Sequence, residues 1–425
     1  MQLIVIWGYS FVVGLYGLVI ALAAIFNTKA KLWIQGRKNW PERLQQAVKP
    51  LQEAGKPIVW VHCASLGEFE QGRPLIEALR AQYPQPAIVL TFYSPSGYQI
   101  RQNYAHADVV CYMPLDTCRN ALIFIKILQP SLVVFVKYEF WYHHLQALFQ
   151  AQIPVILVAA LFRPGQLFFK WYGEPFRQLL MGYSRIFAQN EASAALLRKA
   201  GVNQVEVAGD TRVDRVIQMA AQPANYEAVE VFAGSSPVWV CGSTWPQDEA
   251  LLLPFINTQL PPDWKVIIAP HEISENHIAA LEKAVAIGAV RYSRYAQTPA
   301  ATAARVLIID NVGMLAHLYQ YGRLAYIGGG FGHGIHNTLE PAAFGLPVIL
   351  GPRYEKFEEA VYLVAHGGFF AVSSADELHR SFQHLLKEEA RQQASVEIRS
   401  YLQKMQGATA RIMSYLANSG WLTQR

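Results

Sequence analysis

Cysteine and charged residues are scarce in this chain. Four of its 425 residues are cysteine, and their spacing fits neither a zinc site nor a disulfide framework, which indicates a reducing compartment. Charged residues make up 16%, the net charge is +5, and the basic residues form no blocks interleaved with aromatics, so nucleic acid is excluded as a predicted partner. The hydrophobic content of 52% and the lack of low-complexity tracts exclude a disordered chain.

Metal-binding patterns are missing as well. No two aspartates have D-x-D spacing, and no cluster of histidines and cysteines occurs in the sequence. We therefore predict neither a metal site nor a cofactor. If the chain binds a phosphate group, backbone amides and arginine would then stabilise its negative charge in place of a metal ion.

The N-terminus carries a long uncharged run, residues 3–26, which exceeds the length of about 20 residues that crosses a bilayer. Neither Lys nor Arg precedes the run, and four basic residues follow it: Lys29, Lys31, Arg37 and Lys38. By the positive-inside rule, residues 1–26 are predicted to anchor the chain in a membrane, with the rest on the cytoplasmic side. The alternative is a hydrophobic helix that lies in the interface or packs on a partner.

Short, β-rich apolar runs alternate with helical stretches along the rest of the chain, in two series. The predicted strands are 58–63, 87–91, 132–136, 155–160, 185–189 and 205–209 in the first series, and 238–242, 265–270, 306–310, 324–328 and 347–351 in the second. This alternation is typical of parallel strands joined by helical crossovers.

We therefore predict an α/β protein with two doubly wound, Rossmann-like domains that face each other across a cleft, preceded by the hydrophobic helix. The predicted N-terminal domain spans 27–218, a polar linker spans 219–237, and the C-terminal domain spans 238–425. The last helical segment, 397–422, is expected to pack back towards the N-terminal domain. Open α/β sheets bind ligands at the carboxyl ends of their strands, so the site is expected there.

The stretch LAYIGGGFGHGIHNTLEPAAFGLPVILGP, residues 324–352, reads as strand, glycine-rich turn, helix start and strand. Glycines let a backbone approach a phosphate closely, and a helix opening near 336–338 would direct its amides and positive dipole end at the anion. No G-x-G-x-x-G register fits, since the sixth residue is His333 when counted from Gly328 and Ile335 when counted from Gly330. The motif therefore favours a nucleotide phosphate over NAD or FAD.

A candidate general base follows the first strand. Ser65 and Glu68 have the S-x-x-E spacing of a capping box, in which Glu68 would accept from a backbone amide. Glu68 also follows a strand end that faces the predicted cleft, where the helix dipole favours the ionised form that a general base needs. Both interpretations remain open from the residues alone.

Asn337 and Glu340 repeat this spacing in the second domain, where a carboxylate beside a phosphate-binding turn is also suited to accept from ribose hydroxyls. Other strand ends of this domain carry Ser243 and Thr244, Pro270 with His271, and the turn 310–314. Each alone is typical of a cap or a turn. Their convergence at one sheet edge favours a binding site.

Two further segments of the first domain offer charged groups at strand ends. VKYEFWYHH, residues 136–144, offers Lys137 and Glu139. GDTRVDRV, residues 209–216, offers Arg212, whose planar fork donates two hydrogen bonds to a phosphate. The alternative for Arg212 is an ion pair with Asp210 or Asp214.

These motifs together resemble the 3-deoxy-D-manno-octulosonic acid (Kdo) transferases of lipopolysaccharide synthesis, which have the GT-B glycosyltransferase fold. The resemblance covers nearly the whole chain. It includes the hydrophobic N-terminus with its basic flank, ASLGEFE, KYEFW, the pair Pro270 and His271, and HNTLEPAAFGLPVILGP.

The resemblance implies a CMP-Kdo donor and, as acceptor, the disaccharide precursor of lipid A. It also implies inversion at the anomeric carbon, with Glu68 as general base and with Glu139 and Arg212 as groups that stabilise the transition state. The positions that it implies for CMP binding are Ser243, Thr244, Pro270, His271, Val312, Gly313, Met314, Gly330, Asn337, Thr338, Leu339 and Glu340.

The chain departs from the family pattern at four positions: Lys137 replaces an acidic residue, Arg212 a lysine, Asp210 an asparagine and Met314 a glutamate. Arg212 keeps the charge, whereas Met314 implies that this part of the CMP contact is made by backbone. The residues leave two other functions open. One is a GT-B transferase that uses a different nucleotide sugar for another lipid-linked glycan, and the other is a non-enzymatic membrane protein that binds nucleotide or lipid.

Overall fold

The computed structural model describes residues 2–82, 85–137, 140–297, 303–332 and 334–422. The chain divides into two compact units. The first consists of Met1–Asp214 and Met405–Arg425, and the second is Arg215–Lys404.

The described part of the first unit contains a sheet of seven parallel strands in the order β3-β2-β1-β4-β5-β6-β7. The strands are β1 (Ile58–Cys63), β2 (Ala87–Phe92), β3 (Val109–Tyr112), β4 (Leu132–Val136), β5 (Val155–Ala160), β6 (Arg185–Ala188) and β7 (Val205–Val207). Strand order reverses between β1 and β4, and the loops after these two strands therefore diverge at the edge where doubly wound folds bind ligands.

Helices connect these strands and cover both faces of the sheet. They are α1 (Gln2–Ala23), α2 (Thr28–Arg37), α3 (Trp40–Glu53), α4 (Leu66–Arg80), α5 (Pro95–Arg101), α6 (Cys118–Leu128), α7 (Tyr142–Gln150), α8 (Glu174–Gly182), α9 (Glu191–Lys199) and α10 (Thr211–Ala221). Successive residues of β1 alternate between two buried clusters, with Ile58 and Trp60 in one and Val59 and Val61 in the other. Burial on both faces explains why the strand is apolar at consecutive positions from Ile58 to Val61 rather than at every second position.

The second unit repeats this architecture. Its described residues form seven parallel strands in the order β10-β11-β9-β8-β12-β13-β14. The strands are β8 (Val238–Thr244), β9 (Lys265–Pro270), β10 (Ala289–Arg291), β11 (Val306–Ile308), β12 (Leu324–Ile327), β13 (Val348–Leu350) and β14 (Phe369–Ala371). The helices are α11 (Glu227–Ala233), α12 (Pro246–Thr258), α13 (Glu275–Ala284), α14 (Tyr292–Tyr295), α15 (Leu315–Leu318), α16 (Leu339–Ala343), α17 (Glu358–Ala365), α18 (Ala375–Leu386) and α19 (Glu388–Met405).

The final helix, α20 (Ala408–Ser419), returns to the first unit. Its residues Ala408, Ile412 and Leu416, spaced four apart, are fully buried in the cluster that covers one face of the first sheet. The Asp214 carboxylate accepts from the backbone N–H groups of Gly407 at 2.5 Å and Thr409 at 2.7 Å, which caps the start of the helix.

The observed unit boundaries differ from the predicted ones. The segment predicted as a linker, 219–237, contains α11, which buries Val229 and Phe232 in the second unit, and Lys265 donates to the Phe232 carbonyl at 2.5 Å. The predicted C-terminal domain, 238–425, ends in the structure at Lys404. Polar composition suggested a linker, but two apolar residues three apart suffice to hold a short helix against a core.

Helix α1 contains Val5–Ala23, a segment whose length and mean hydropathy of 2.0 are sufficient to cross a membrane and in which every residue is half-buried or exposed. It is the candidate for the predicted anchor. The exposed apolar side chains on it include Trp7, Phe11, Leu15, Leu18 and Leu22.

Candidate functional site

The candidate catalytic glutamate begins the helix that follows β1. Glu68 lies in the first turn of α4, half-buried, and its Oε2 accepts from the Ser65 hydroxyl. Ser65 Oγ in turn accepts from the Gly67 N–H at 3.2 Å, so Ser65 caps the helix. Among the described residues, Glu68 does not accept from the backbone N–H of Ser65, as a capping box requires, and its Oε1 has no partner. One carboxylate oxygen therefore remains available to accept a proton.

The loop after β4, on the other side of the strand-order reversal, begins with Lys137. This residue has a left-handed φ of 72°, and its N–H donates to the Val158 carbonyl at 2.9 Å. The predicted site residue Glu139 lies outside the described residues.

Arg212 follows β7, where its guanidinium forms a bidentate ion pair with Asp210. Nε lies 3.0 Å and Nη2 2.6 Å from Asp210 Oδ2, and the Arg212 N–H donates to Oδ1 at 2.9 Å. Asp210 is only 3% exposed, so the pair is fixed in the fold rather than mobile on the surface. Of the two predicted partners, Asp210 holds Arg212, while Asp214 caps α20.

In the second unit, strand order reverses between β8 and β12, and Ser243 and Thr244 end β8 at this point. Ser243 adopts a left-handed φ of 54° at an irregularity in the pairing of β8 with β9. Such strain is retained where the surrounding structure requires it. Thr244 is fully buried, and its hydroxyl donates to Glu249 at 2.9 Å, so this side chain supports the loop from inside.

The glycine-rich turn packs against neighbouring backbone more closely than the sequence predicts. A Cβ at Gly328 would lie 2.2 Å from the Ser243 carbonyl oxygen, and one at Gly330 would lie 2.6 Å from Gly351 Cα. These two glycines are therefore required by packing within the unit. At Gly332 the nearest described atom would be 3.6 Å away, an ordinary van der Waals contact, so packing within the unit does not require glycine there. Helix α16 begins at Leu339 rather than at 336–338 and has five residues, so its macrodipole is small.

Asp248, which the sequence interpretation did not select, fixes this turn. Its carboxylate is fully buried and accepts three hydrogen bonds, from the N–H groups of Gly329 (2.8 Å) and Trp245 (2.9 Å) and from the Tyr326 hydroxyl (2.8 Å). Burial raises the pKa of Asp248, while these hydrogen bonds act in the opposite direction. The available signal was the position of this acidic residue at N3 of α12, three residues after the N-cap Trp245.

Three stacked aromatic side chains lie beside the same turn. The His271 ring stacks on Trp245 (centroids 4.5 Å apart) and on His336 (4.3 Å), and Trp245 Nε1 donates to His336 Nε2 at 2.8 Å. Burial, with a smaller contribution from His271, lowers the pKa of His336 to about 4. His336 is therefore neutral at pH 7 with Nε2 as acceptor, and it helps to hold the exposed His271 ring. Trp245 and His336 were not among the predicted site residues.

Asn337 and Glu340, the predicted N-x-x-E pair, form hydrogen bonds of the kind that caps the start of a helix. Asn337 Oδ1 accepts from the Leu339 N–H at 3.1 Å, and Asn337 Nδ2 donates to Glu340 at 2.9 Å. Burial raises the pKa of Glu340, whereas Asn337 and Arg215 lower it. Thr338 is fully buried, and in the described part of the chain its hydroxyl has no partner.

The remaining predicted positions differ in exposure. Leu339 and Met314 are buried side chains, so only their backbone is accessible to a ligand. Val312 is 90% exposed in the loop after β11, and Gly313 has a φ of 97° that favours glycine. Pro270 ends β9 and is buried. Among the described residues, no group of three or more His, Cys, Asp or Glu side chains forms a candidate metal site.

Solved structures show the same fold as this chain. The UDP-GlcNAc 2-epimerase of Neisseria meningitidis aligns with a TM-score of 0.60 at 17% identity and covers 85% of this chain and 100% of that one. The UDP-GlcNAc 2-epimerase of Methanocaldococcus jannaschii aligns with a TM-score of 0.53 at 17% identity, covering 84% and 99%. The predicted fold class, two parallel-sheet α/β domains of the GT-B type, is confirmed.

Sequence comparison finds similar proteins over most of the chain. The family described as 3-Deoxy-D-manno-octulosonic-acid transferase (kdotransferase) matches residues 38–215. The 3-deoxy-D-manno-octulosonic acid transferase of Haemophilus influenzae is 27% identical over 84% of this chain and 86% of its own length. That of Bordetella pertussis is 28% identical over 86% and 87%, and that of Aquifex aeolicus 26% over 82% and 93%. The resemblance found in the motifs is confirmed, and this chain is related over most of its length to the 3-deoxy-D-manno-octulosonic acid transferases.

Proposed function

We propose that this protein is an inverting glycosyltransferase of lipopolysaccharide synthesis that moves Kdo from CMP-Kdo to the disaccharide precursor of lipid A. Its relatedness to Kdo transferases over more than four-fifths of the chain supports Kdo transfer as the activity. The observation that carries the mechanism is the place of Glu68, at the strand-order reversal of the first sheet, with Oε1 free among the described residues.

In this mechanism Glu68 removes the proton from the acceptor hydroxyl. The hydroxyl oxygen attacks the anomeric carbon of Kdo from the face opposite the phosphate, so that the new glycosidic bond forms as the bond to the CMP oxygen breaks. The electron pair of that bond leaves with CMP. A positioned general base supplies roughly 10²- to 10⁴-fold in rate, and orientation and electrostatics supply the rest.

We propose that CMP binds at the carboxyl edge of the second sheet. The exposed His271 ring is held from behind by Trp245 and His336, which favours a fixed contact with the nucleotide. Glu340 beside the glycine turn is suited to accept from the ribose hydroxyls.

The proposal includes attachment of the chain to the cytoplasmic face of the inner membrane through α1. An acyl-chain-bearing acceptor stays in the bilayer, so an enzyme held at the surface meets it there. The hydropathy of Val5–Ala23 and the basic residues that follow it support this assignment.

The test is an assay of transfer from freshly generated CMP-Kdo to detergent-dispersed lipid A precursor, read by mass spectrometry of the lipid. We expect a mass increment of one or more Kdo units with the wild-type protein. UDP-sugars serve as competing donors in parallel reactions. Transfer from a UDP-sugar with none from CMP-Kdo would refute the proposed donor. A folded protein that binds CMP but transfers nothing would refute the proposed acceptor.

Arg212→Ala is expected to lower kcat/KM for CMP-Kdo by about ten-fold, because a charge-assisted hydrogen bond to phosphate contributes roughly 1.5–3 kcal/mol. Initial rates at varied CMP-Kdo measure this. The matched control is Arg198→Ala, since Arg198 also pairs with a carboxylate of its own unit, Glu191, at 2.5 Å. If the two variants have equal kcat/KM, Arg212 serves only its ion pair with Asp210.

A further inference from the structure

Helix α1 is docked on the first unit along one face. Its half-buried positions recur every three to four residues, at Val5, Ile6, Tyr9, Ser10, Val13, Gly17, Ile20 and Ala24. This spacing is that of a helix stripe in contact with a surface. A simple membrane tether requires an apolar helix and a linker, but no such stripe.

The docked face carries polar contacts to loops at the carboxyl edge of the first sheet. Tyr9 donates to Asp116 at 2.5 Å, in the loop after β3, and Ser10 Oγ lies 2.9 Å from His143 Nε2, near the start of α7. Asp116 is fully buried and also accepts from the His144 N–H at 2.9 Å. Burial alone would raise the pKa of Asp116, but hydrogen bonds from His144 and Tyr9 hold it below its usual value.

A second set of contacts leads from α1 to the loop that carries the proposed base. The Tyr16 ring stacks on Tyr93, with centroids 6.3 Å apart and an interplanar angle of 24°. The N–H groups of Tyr93 and Ser94 donate to the Ala64 carbonyl at 3.2 and 2.8 Å. Ala64 precedes Ser65, the cap residue that donates to Glu68.

Arg37 holds Tyr93 from another side. Its guanidinium lies 4.8 Å from the centre of the Tyr93 ring and donates to the Tyr93 carbonyl at 2.8 Å. Arg37 also donates to the Met113 carbonyl at 2.9 Å, after β3. Arg37 therefore holds the Tyr93 carbonyl and one side of its ring, and the contact of Tyr16 with the same ring is the part of this arrangement that depends on α1.

We infer that α1 is a positioning element of the acceptor site as well as an anchor, with Tyr16 acting through Tyr93 and Ala64 on the loop that presents Glu68. This inference rests on the proposed function, because it concerns the geometry of the proposed general base. It implies that α1 contributes to turnover even where no membrane is needed.

The experiment uses the full chain in detergent micelles with the deacylated, water-soluble disaccharide as acceptor, so that membrane partition plays no part. We expect Tyr16→Ala to lower kcat by about ten-fold through misplacement of the base, with the KM for CMP-Kdo unchanged. Tyr16→Phe keeps the stacked ring and is expected to retain most of the wild-type kcat. Leu15→Ala is the matched control, since Leu15 precedes Tyr16 on the same helix and is similarly exposed (47% against 44%) but has no ring to stack on Tyr93.

A kcat for Tyr16→Ala equal to that of Leu15→Ala would overturn the inference. Amide hydrogen exchange of residues 64–70 separates this result from a failure of the proposed function. We expect faster exchange there in Tyr16→Ala than in Leu15→Ala, whether or not the wild type transfers Kdo. If the wild type is inactive, equal exchange in the two variants overturns the inference, and faster exchange in Tyr16→Ala supports it while the proposed function alone fails.

Discussion

Replacement of Glu68 by glutamine is expected to lower kcat by roughly 10²- to 10⁴-fold while leaving the affinity for CMP unchanged. Glutamine keeps an oxygen that accepts from the Ser65 hydroxyl, so the start of α4 retains its local hydrogen bond. It cannot take a proton from the acceptor. Single-turnover measurement with CMP-Kdo and equilibrium binding of CMP test the two parts separately.

The matched control is Glu70→Gln on the same helix. Glu70 pairs with Arg101 at 2.9 Å, so its replacement removes a charge of the same sign from the same region without removing the proposed base. We expect a change of no more than a few-fold in kcat. Wild-type activity in Glu68→Gln would mean that Glu68 serves only the helix start, which is the alternative that the S-x-x-E spacing left open.

Asp248→Ala is expected to destabilise the second unit by about 3–5 kcal/mol and to abolish CMP binding. The substitution leaves three donors without their acceptor: the N–H groups of Trp245 and Gly329 and the Tyr326 hydroxyl. The hydrogen bonds from the Trp245 and Gly329 N–H groups connect the start of α12 to the glycine turn, beside the strands where the strand order reverses. A loss of about 3 kcal/mol corresponds to a midpoint shift of roughly 6–12 °C for a unit of this size.

Thermal unfolding and CMP titration of the full-length variant provide the measurement, with Asp263→Ala as control. Asp263 is an exposed aspartate of the same unit, and its removal is expected to change the midpoint little. Tyr326→Phe removes one donor and leaves the carboxylate with the other two, so an intermediate effect of about 1 kcal/mol is expected. An unchanged midpoint and CMP affinity in Asp248→Ala would refute the role assigned to this carboxylate.

The central strands were predictable because they are buried on both faces and therefore carry consecutive apolar residues, as in Leu132–Val136 and Val155–Ala160. Three strands were missed: Val109–Tyr112, Ala289–Arg291 and Phe369–Ala371. Each lies at the edge of its sheet, is only three or four residues long and is partly exposed. Edge strands lack the continuous apolar run on which the prediction depended.

The site was predictable only in part. Glu68 and the glycine turn follow strands of a parallel sheet, and their place at a sheet edge followed from that pattern alone. Arg212 pairs with Asp210 because the buried Asp210 carboxylate lies beside it in the fold. The sequence alone favoured neither Asp210 nor Asp214 as its partner. The support of His271 by Trp245 and His336 joins residues from three separate segments, which local spacing does not reveal.

The amino-acid sequence by itself determined the α/β class, the two parallel sheets, the apolar N-terminal helix and the resemblance to the Kdo transferases, because these features depend on patterns among neighbouring residues and on short motifs in a fixed order. Only the tertiary structure decided that the chain enters the first unit again at Met405, within the predicted last helical segment, that Gly328 and Gly330 are required by neighbouring backbone, and that Tyr16 of α1 contacts Tyr93 in the loop after β2. These features depend on contacts between residues far apart in the chain, and such contacts are set by packing of the whole unit rather than by any local pattern.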